Sequence, residues 1–203
     1  MTVYINNMQQ GSWGKSLLRR NYGFQKENDS IQINAMNIKS HAISGLKLSR
    51  RLTKNMLADF NTMTDWFYQP HENSNHALWI AGHLGMADNA FTAKFRPKAG
   101  REIEGWKEIF WFGSQPTNDP KDYPPIDEVL DYFDERREIL LKVLDEVSVE
   151  ELAKPAPPED SGSPIAGAPD IGQVFFFIAN HECLHCGQLS VCRRGLGHPP
   201  LVS

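Results

Sequence analysis

The chain has 203 residues, 40% of them hydrophobic and 23% charged, with a net charge of −4. That length suits one globular domain with a real core plus a tail, and the acidic balance gives no reason to expect nucleic acid as a partner. No apolar run approaches the roughly 20 residues needed to cross a bilayer, so no membrane association is expected either.

The charge is uneven. Residues 1–60 carry nine Lys and Arg against three Asp and Glu, which reads as a basic tail and first helix lying on an acidic body. The three cysteines, Cys183, Cys186 and Cys192, are an odd number near the C-terminus. They do not make a disulfide framework, and they suggest a reducing compartment, the cytoplasm. Arg19-Arg20 is followed by polar residues rather than an apolar stretch, so it does not read as an export signal.

Residues 1–35 are polar and aperiodic and are expected to form an irregular tail before a domain at 36–203. A helical pattern runs from Asn37 to about Asp65, with Ile43, Leu46, Leu57, Phe60 and Met63 near three- and four-residue spacing. A second helix is expected to start near Asn73, Ser74 or Asn75, each an N-cap candidate, and to end before Pro97. Residues 97–125 hold five prolines and three glycines, too long for a tight turn, and read as a crossover. The aromatics there, Trp106, Phe110 and Trp111, are candidates for the wall of a pocket. The third helix carries a near-heptad seam of Ile126, Leu130, Phe133, Leu140, Leu144 and Val147, interrupted by Arg137. Ser148 to Glu151 is a capping-box pattern. After a Pro/Gly loop, the last helix spans about Asp170 to Arg194 and stops at Gly195-Leu196-Gly197. The fold class predicted is all-α, a four-helix bundle with a long crossover between its second and third helices.

On a wheel of 3.6 residues per turn, Val174, Ile178, His181, His185, Gln188 and Cys192 fall within about 40° of one line. Trp79, His83, Met86 and Ala90 form a similar stripe on the second helix. A lone buried histidine is usually a satisfied core residue. Two at i, i+4 on an inward stripe, with a third on a facing helix, are costly unless each ring nitrogen finds a partner. Three converging neutral imidazoles suit Zn²⁺, Ni²⁺ or Fe²⁺ and leave a position open for water or substrate. His41, His71, His76 and His198 are expected at the surface. Glu182, about 100° round the helix from His181, is a candidate proton carrier. Gln188 is a candidate to orient a ligand, or packs between helices.

Two other motifs overlap the pair. His181-Glu182-Cys183-Leu184-His185 matches H-E-x-x-H of zinc proteases, but no third ligand follows it at the required spacing. Cys183-x-x-Cys186 is half a zinc site or a redox pair at most, and Cys183 lies nearly opposite the histidine stripe, which favours packing.

The run His181 to Leu189, with Gly187-Gln188-Leu189, followed by the basic, glycine-terminated Arg193 to Pro200, resembles the last helix of the DinB/YfiT-like superfamily. Trp79-Ile80-Ala81-Gly82-His83-Leu84 is similar to its second-helix segment, and Phe112 to Glu128 to the approach to its third helix. The resemblance covers about residues 38–200. It implies a four-helix bundle, often dimeric, with a divalent metal on His83, His181 and His185. It also implies a small-molecule substrate and a low-molecular-weight thiol cosubstrate, with transfer, isomerisation or hydrolysis as the reaction. The alternative is a non-catalytic metal-binding bundle.

Overall fold

The computed structural model describes residues 38–156 and 165–201. The expected tail lies outside them. Among the described residues the chain is helical, with no strand: α1 (Ile38–Leu57), α2 (Met63–Trp66), α3 (Ala77–Phe95), α4 (Trp106–Phe110), α5 (Ile126–Glu146), α6 (Val149–Leu152) and α7 (Ile171–Gly195), with 3₁₀ turns at Pro97–Ala99 and Pro120–Asp122. None of these helices is long and apolar enough to cross a membrane.

Two helix boundaries differ from expectation, each for a local reason. The first helix stops at Leu57 instead of continuing to Asp65, because Thr62 opens a new one. The Thr62 side chain accepts from the Asp65 N–H, and Asp65 accepts from the Thr62 N–H at 2.8 Å, a full capping box. The second long helix, α3, is capped by His76 instead of an asparagine or serine. His76 Nδ1 accepts from the Trp79 N–H at 3.2 Å. His76 was expected at the surface; it is 0% exposed, packed against Phe67 and Tyr123. Asp170 and Ser148 cap α7 and α6 as the sequence pattern indicates.

The core falls into two clusters. One collects Met56 and Leu57 of α1, Leu78 to Leu84 of α3, Val129 and Phe133 of α5, and Leu189 and Cys192 of α7. The other collects Ala42 and Leu46 of α1, Leu140 and Leu144 of α5, and Val174 and Ile178 of α7. Phe91 and Phe95 of α3 pack against this second cluster. The order of these residues fixes the directions: α1 and α7 run from the second cluster to the first, and α3 and α5 run the opposite way. The closest pairs are α3 with α5 and α1 with α7, each parallel. Parallel neighbours need a connection that returns along the helix, about 28 Å for the 19 residues of α3. That is the physical reason for the long connection from Arg96 to Pro125.

Between the clusters lies a layer of buried charge. Asp88 of α3 accepts from Arg50 Nη2 of α1 at 2.8 Å and from Arg137 of α5 through Nε at 2.8 Å and Nη2 at 3.0 Å. Glu182 of α7 pairs with Arg137 Nη2 at 2.7 Å and Arg50 Nε at 2.9 Å, and accepts from Ser49 Oγ at 2.9 Å. The two guanidiniums also donate to the carbonyls of Phe133 and Leu46. All four charged side chains are buried, and their formal charges cancel, which makes such a layer tolerable in a core. Arg137, which interrupts the apolar seam of α5, is explained by it. Burial and the neighbouring Arg137 lower the Arg50 pKa to about 10, while Asp88 and Glu182 raise that of Arg137 against the effect of burial.

Candidate metal centre

The histidines adjoin the charge layer. His83 follows Ile80 and precedes Asp88 on α3, and His181 and His185 flank Glu182 on α7. Their Nε2 atoms converge: His83 to His181 is 3.2 Å, and His185 to His181 is 3.2 Å. One ligand atom from each lies within 4.8 Å of the others, and together they could hold a metal ion.

Two of the rings are oriented from behind. His83 Nδ1 stands 2.8 Å from the carbonyl oxygen of Phe110, and His185 Nδ1 stands 2.9 Å from Gln188 Oε1. A carbonyl oxygen only accepts, so each Nδ1 carries the proton and each Nε2 presents a lone pair inward. His181 Nε2 has one proton at most to offer those two lone pairs, and its buried Nδ1 has no hydrogen-bond partner. Without a cation, lone pairs face each other in a largely buried site; with one, each has a partner. The donor set therefore fits a divalent metal. Burial first, then a neighbouring imidazole, pushes each of the three pKa values down to about 4. At neutral pH all three are uncharged, the form that ligates.

The connection between α3 and α5 builds the rear of the site. Phe110 at the end of α4 lies on Gly82, where a Cβ would stand 2.5 Å from the ring's Cε1 and 2.7 Å from its Cγ. Only a glycine lets the ring, and with it the Phe110 carbonyl, come down onto His83. Trp79 stacks on His83 with centroids 4.8 Å apart, its indole N–H held by the Ile109 carbonyl and Ser114 Oγ. Phe177 stacks on His181, with centroids 5.7 Å apart.

Several sequence-predicted residues take other positions. Glu182 has both carboxylate oxygens engaged by the arginine layer and does not join the imidazole nitrogens. Gln188, expected on the inward stripe, is exposed; its Oε1 accepts from Asn75 Nδ2 at 3.1 Å and holds His185 from outside. Trp106 and Phe110 are core residues, while Trp111 lines a cavity. Cys183 is exposed and Cys186 is buried with Sγ 3.3 Å from Thr53 Oγ1, so the two thiols face different surroundings. Burial raises the pKa of both, and pushes Cys192 up to about 11. Sequence reasoning missed Arg50 and Asp88, whose signal was the charge opposite Arg137. It also missed the Phe110 carbonyl, which no side-chain pattern could reveal.

The DinB superfamily model matches residues 46–189, a span that holds all three histidines and all four charges of the buried layer. The chain belongs to the DinB superfamily. Among curated proteins, none matches the chain.

Proposed function

We propose that this DinB-superfamily chain is a metal-dependent enzyme in which His83, His181 and His185 hold one divalent cation, zinc, nickel or iron. The reaction is transfer of a low-molecular-weight thiol to a small electrophile, or hydrolysis of a small molecule. The observation that carries this reading is the convergence of three uncharged Nε2 atoms, two of them turned inward by acceptors on Nδ1. A bound cation there supplies Lewis acidity, which makes a thiol or water more acidic at neutral pH.

The residues around it divide the remaining work. The Phe110 carbonyl and Gln188 fix the His83 and His185 rings, and Trp79 and Phe177 cover ring faces against water. Glu182 is a positioning residue: its arginine partners fix the turn of α7 that carries both histidines. Burial raises the pKa of the chain's own thiols, none of which is among the three converging ligands, and the attacking thiol is assigned to a cosubstrate. That thiol loses its proton to solvent, and its sulfur forms the new C–S bond as the leaving group departs with its electron pair. The four long helices are read as a four-helix bundle with the expected crossover. Self-association is part of the same proposal, since Phe176, Leu184 and Val191 are each more than half exposed along one face of α7.

Metal analysis of the purified chain and of His181→Ala tests the centre. Stoichiometric metal in the wild type and none in the variant is expected; undiminished metal in His181→Ala would refute the triad. A thiol-transfer assay with monochlorobimane and several thiols, beside a panel of model esters, tests the chemistry. A second reading is a non-catalytic metal-binding bundle, favoured by the way a metal on the triad would join α3 to α7 beside a charge layer that already joins all four long helices. It gains if metal-loaded wild type shows no rate above His83→Ala in either assay.

A further inference from the structure

A cavity of about 520 Å³ opens between α3 and the crossover, lined among others by Met86, Asn89 and Ala90 of α3 and by Glu102, Lys107 and Trp111 of the crossover. That volume falls within the usual range for small-molecule sites. Met86 stands one turn beyond His83 on α3, and Trp111 follows Phe110, whose carbonyl holds His83. The cavity is therefore built from the same two segments, α3 and the stretch after α4, that position His83.

Its polar groups favour one ligand chemistry. Asn89 is 5% exposed, and its Oδ1 accepts from the Arg101 backbone N–H at 2.7 Å and from Arg136 Nη1 at 3.2 Å. With the carbonyl end fixed by two donors, the amide N–H₂ is the end left over, and Nδ2 makes no hydrogen bond among the described residues. The Lys107 ammonium and the Trp111 indole N–H also have no hydrogen-bond partner among them. The lining residues thus offer three donor groups, one of them a cation, beside the apolar Met86 and Ala90, while Glu102 carries the wall's one negative charge. A ligand that answers this pattern has an apolar body and an acceptor group with negative charge.

We infer that this cavity binds a small organic monocarboxylate. The carboxylate is received by Asn89 Nδ2 and the Lys107 ammonium, and the apolar body lies on Met86, Ala90 and Trp111. The like charge of Glu102 disfavours a second carboxylate. The inference deepens the reading of the histidine triad by naming a substrate class, and it depends on that reading only for the link between binding and catalysis.

The test is titration of the full chain, zinc-loaded, with phenylacetate and with its uncharged analogue phenylacetamide, followed by tryptophan fluorescence and calorimetry. Saturable binding of phenylacetate, with phenylacetamide at least tenfold weaker, is expected. Lys107→Met should weaken phenylacetate by about tenfold, and Ala90→Leu, which fills the cavity, should abolish binding. Equal affinity for acid and amide, or wild-type affinity in Lys107→Met, would overturn the inference. Lys107 is exposed, so that variant decides the matter even if Ala90→Leu does not fold. His181→Ala separates the two readings. Phenylacetate binding retained beside undiminished metal sinks the triad and leaves the cavity standing. Stoichiometric wild-type metal with no phenylacetate binding does the reverse.

Discussion

Replacing Gly82 by alanine should damage the metal centre far more than the fold. In a helix interior alanine is favoured over glycine by about 1 kcal/mol. The added Cβ meets the Phe110 ring at 2.5 Å from Cε1, and that ring is 0% exposed, with Trp106 and Tyr123 packed on it. Such overpacking costs about 1–3 kcal/mol. The two effects largely offset each other, leaving a net destabilisation of roughly 0–2 kcal/mol. The ring cannot yield without moving α4, and the Phe110 carbonyl that orients His83 moves with it. Loss of an outer partner of a ligating histidine typically costs about 10–100-fold in metal affinity. The assay is zinc competition against a chromophoric chelator, run beside urea unfolding of the same samples. Gly82→Ala is expected to bind zinc at least tenfold more weakly while keeping most of its unfolding midpoint. Wild-type zinc affinity in a variant whose midpoint has dropped would show that the Phe110 contact is packing alone and does not orient His83.

Three further outcomes follow from the same geometry. Asp88→Asn leaves two buried arginines with one carboxylate and should cost about 3–5 kcal/mol, read by urea denaturation; a loss under 1 kcal/mol would mean that water reaches the layer. Gln188→Leu removes the acceptor behind His185 from an exposed position, so zinc affinity should fall about tenfold with the thermal midpoint almost unchanged; equal losses of both would mark it as a packing residue. His76 has its pKa lowered by burial from 6.5 to about 4. The unfolded chain therefore takes up a proton there before the folded one does, and this contribution to stability is full above pH 6.5 and declines as pH falls towards 4. His76→Asn keeps a capping oxygen for the Trp79 N–H but does not titrate. Unfolding midpoints of chelator-treated protein at pH 7.5 and 5 should differ less in the variant than in the wild type, and identical differences would remove His76 from the account.

Periodicity and caps were enough to read the four long helices from the sequence. The seam of α5 and the stripe of α7 put apolar residues where a 3.6-residue repeat demands them, and Asp170 and Ser148 cap their helices through contacts three residues away. The break after Leu57 was also local, since Thr62 and Asp65 stand at capping-box spacing. It was hidden because Phe60 and Met63 continue the apolar rhythm across it. The burial of His76 had no local signal, because Phe67 and Tyr123 cover it from other segments.

The sequence by itself determined that three histidines stand where core residues belong, on two helices, at the spacing that brings a pair to one face. Tertiary structure alone decided what surrounds them. Arg137 looked like a flaw in a seam until Asp88 and Glu182 came to it from two other helices. Glu182 looked available for chemistry until Arg137 and Arg50 paired with its two oxygens. The tautomer of His83 depends on a backbone carbonyl 27 residues away, and a carbonyl is the same group in every residue. Local spacing encodes which side chains share a helix face. It carries no record of which distant backbone or charge will meet that face, because that depends on how the helices and the segments between them pack.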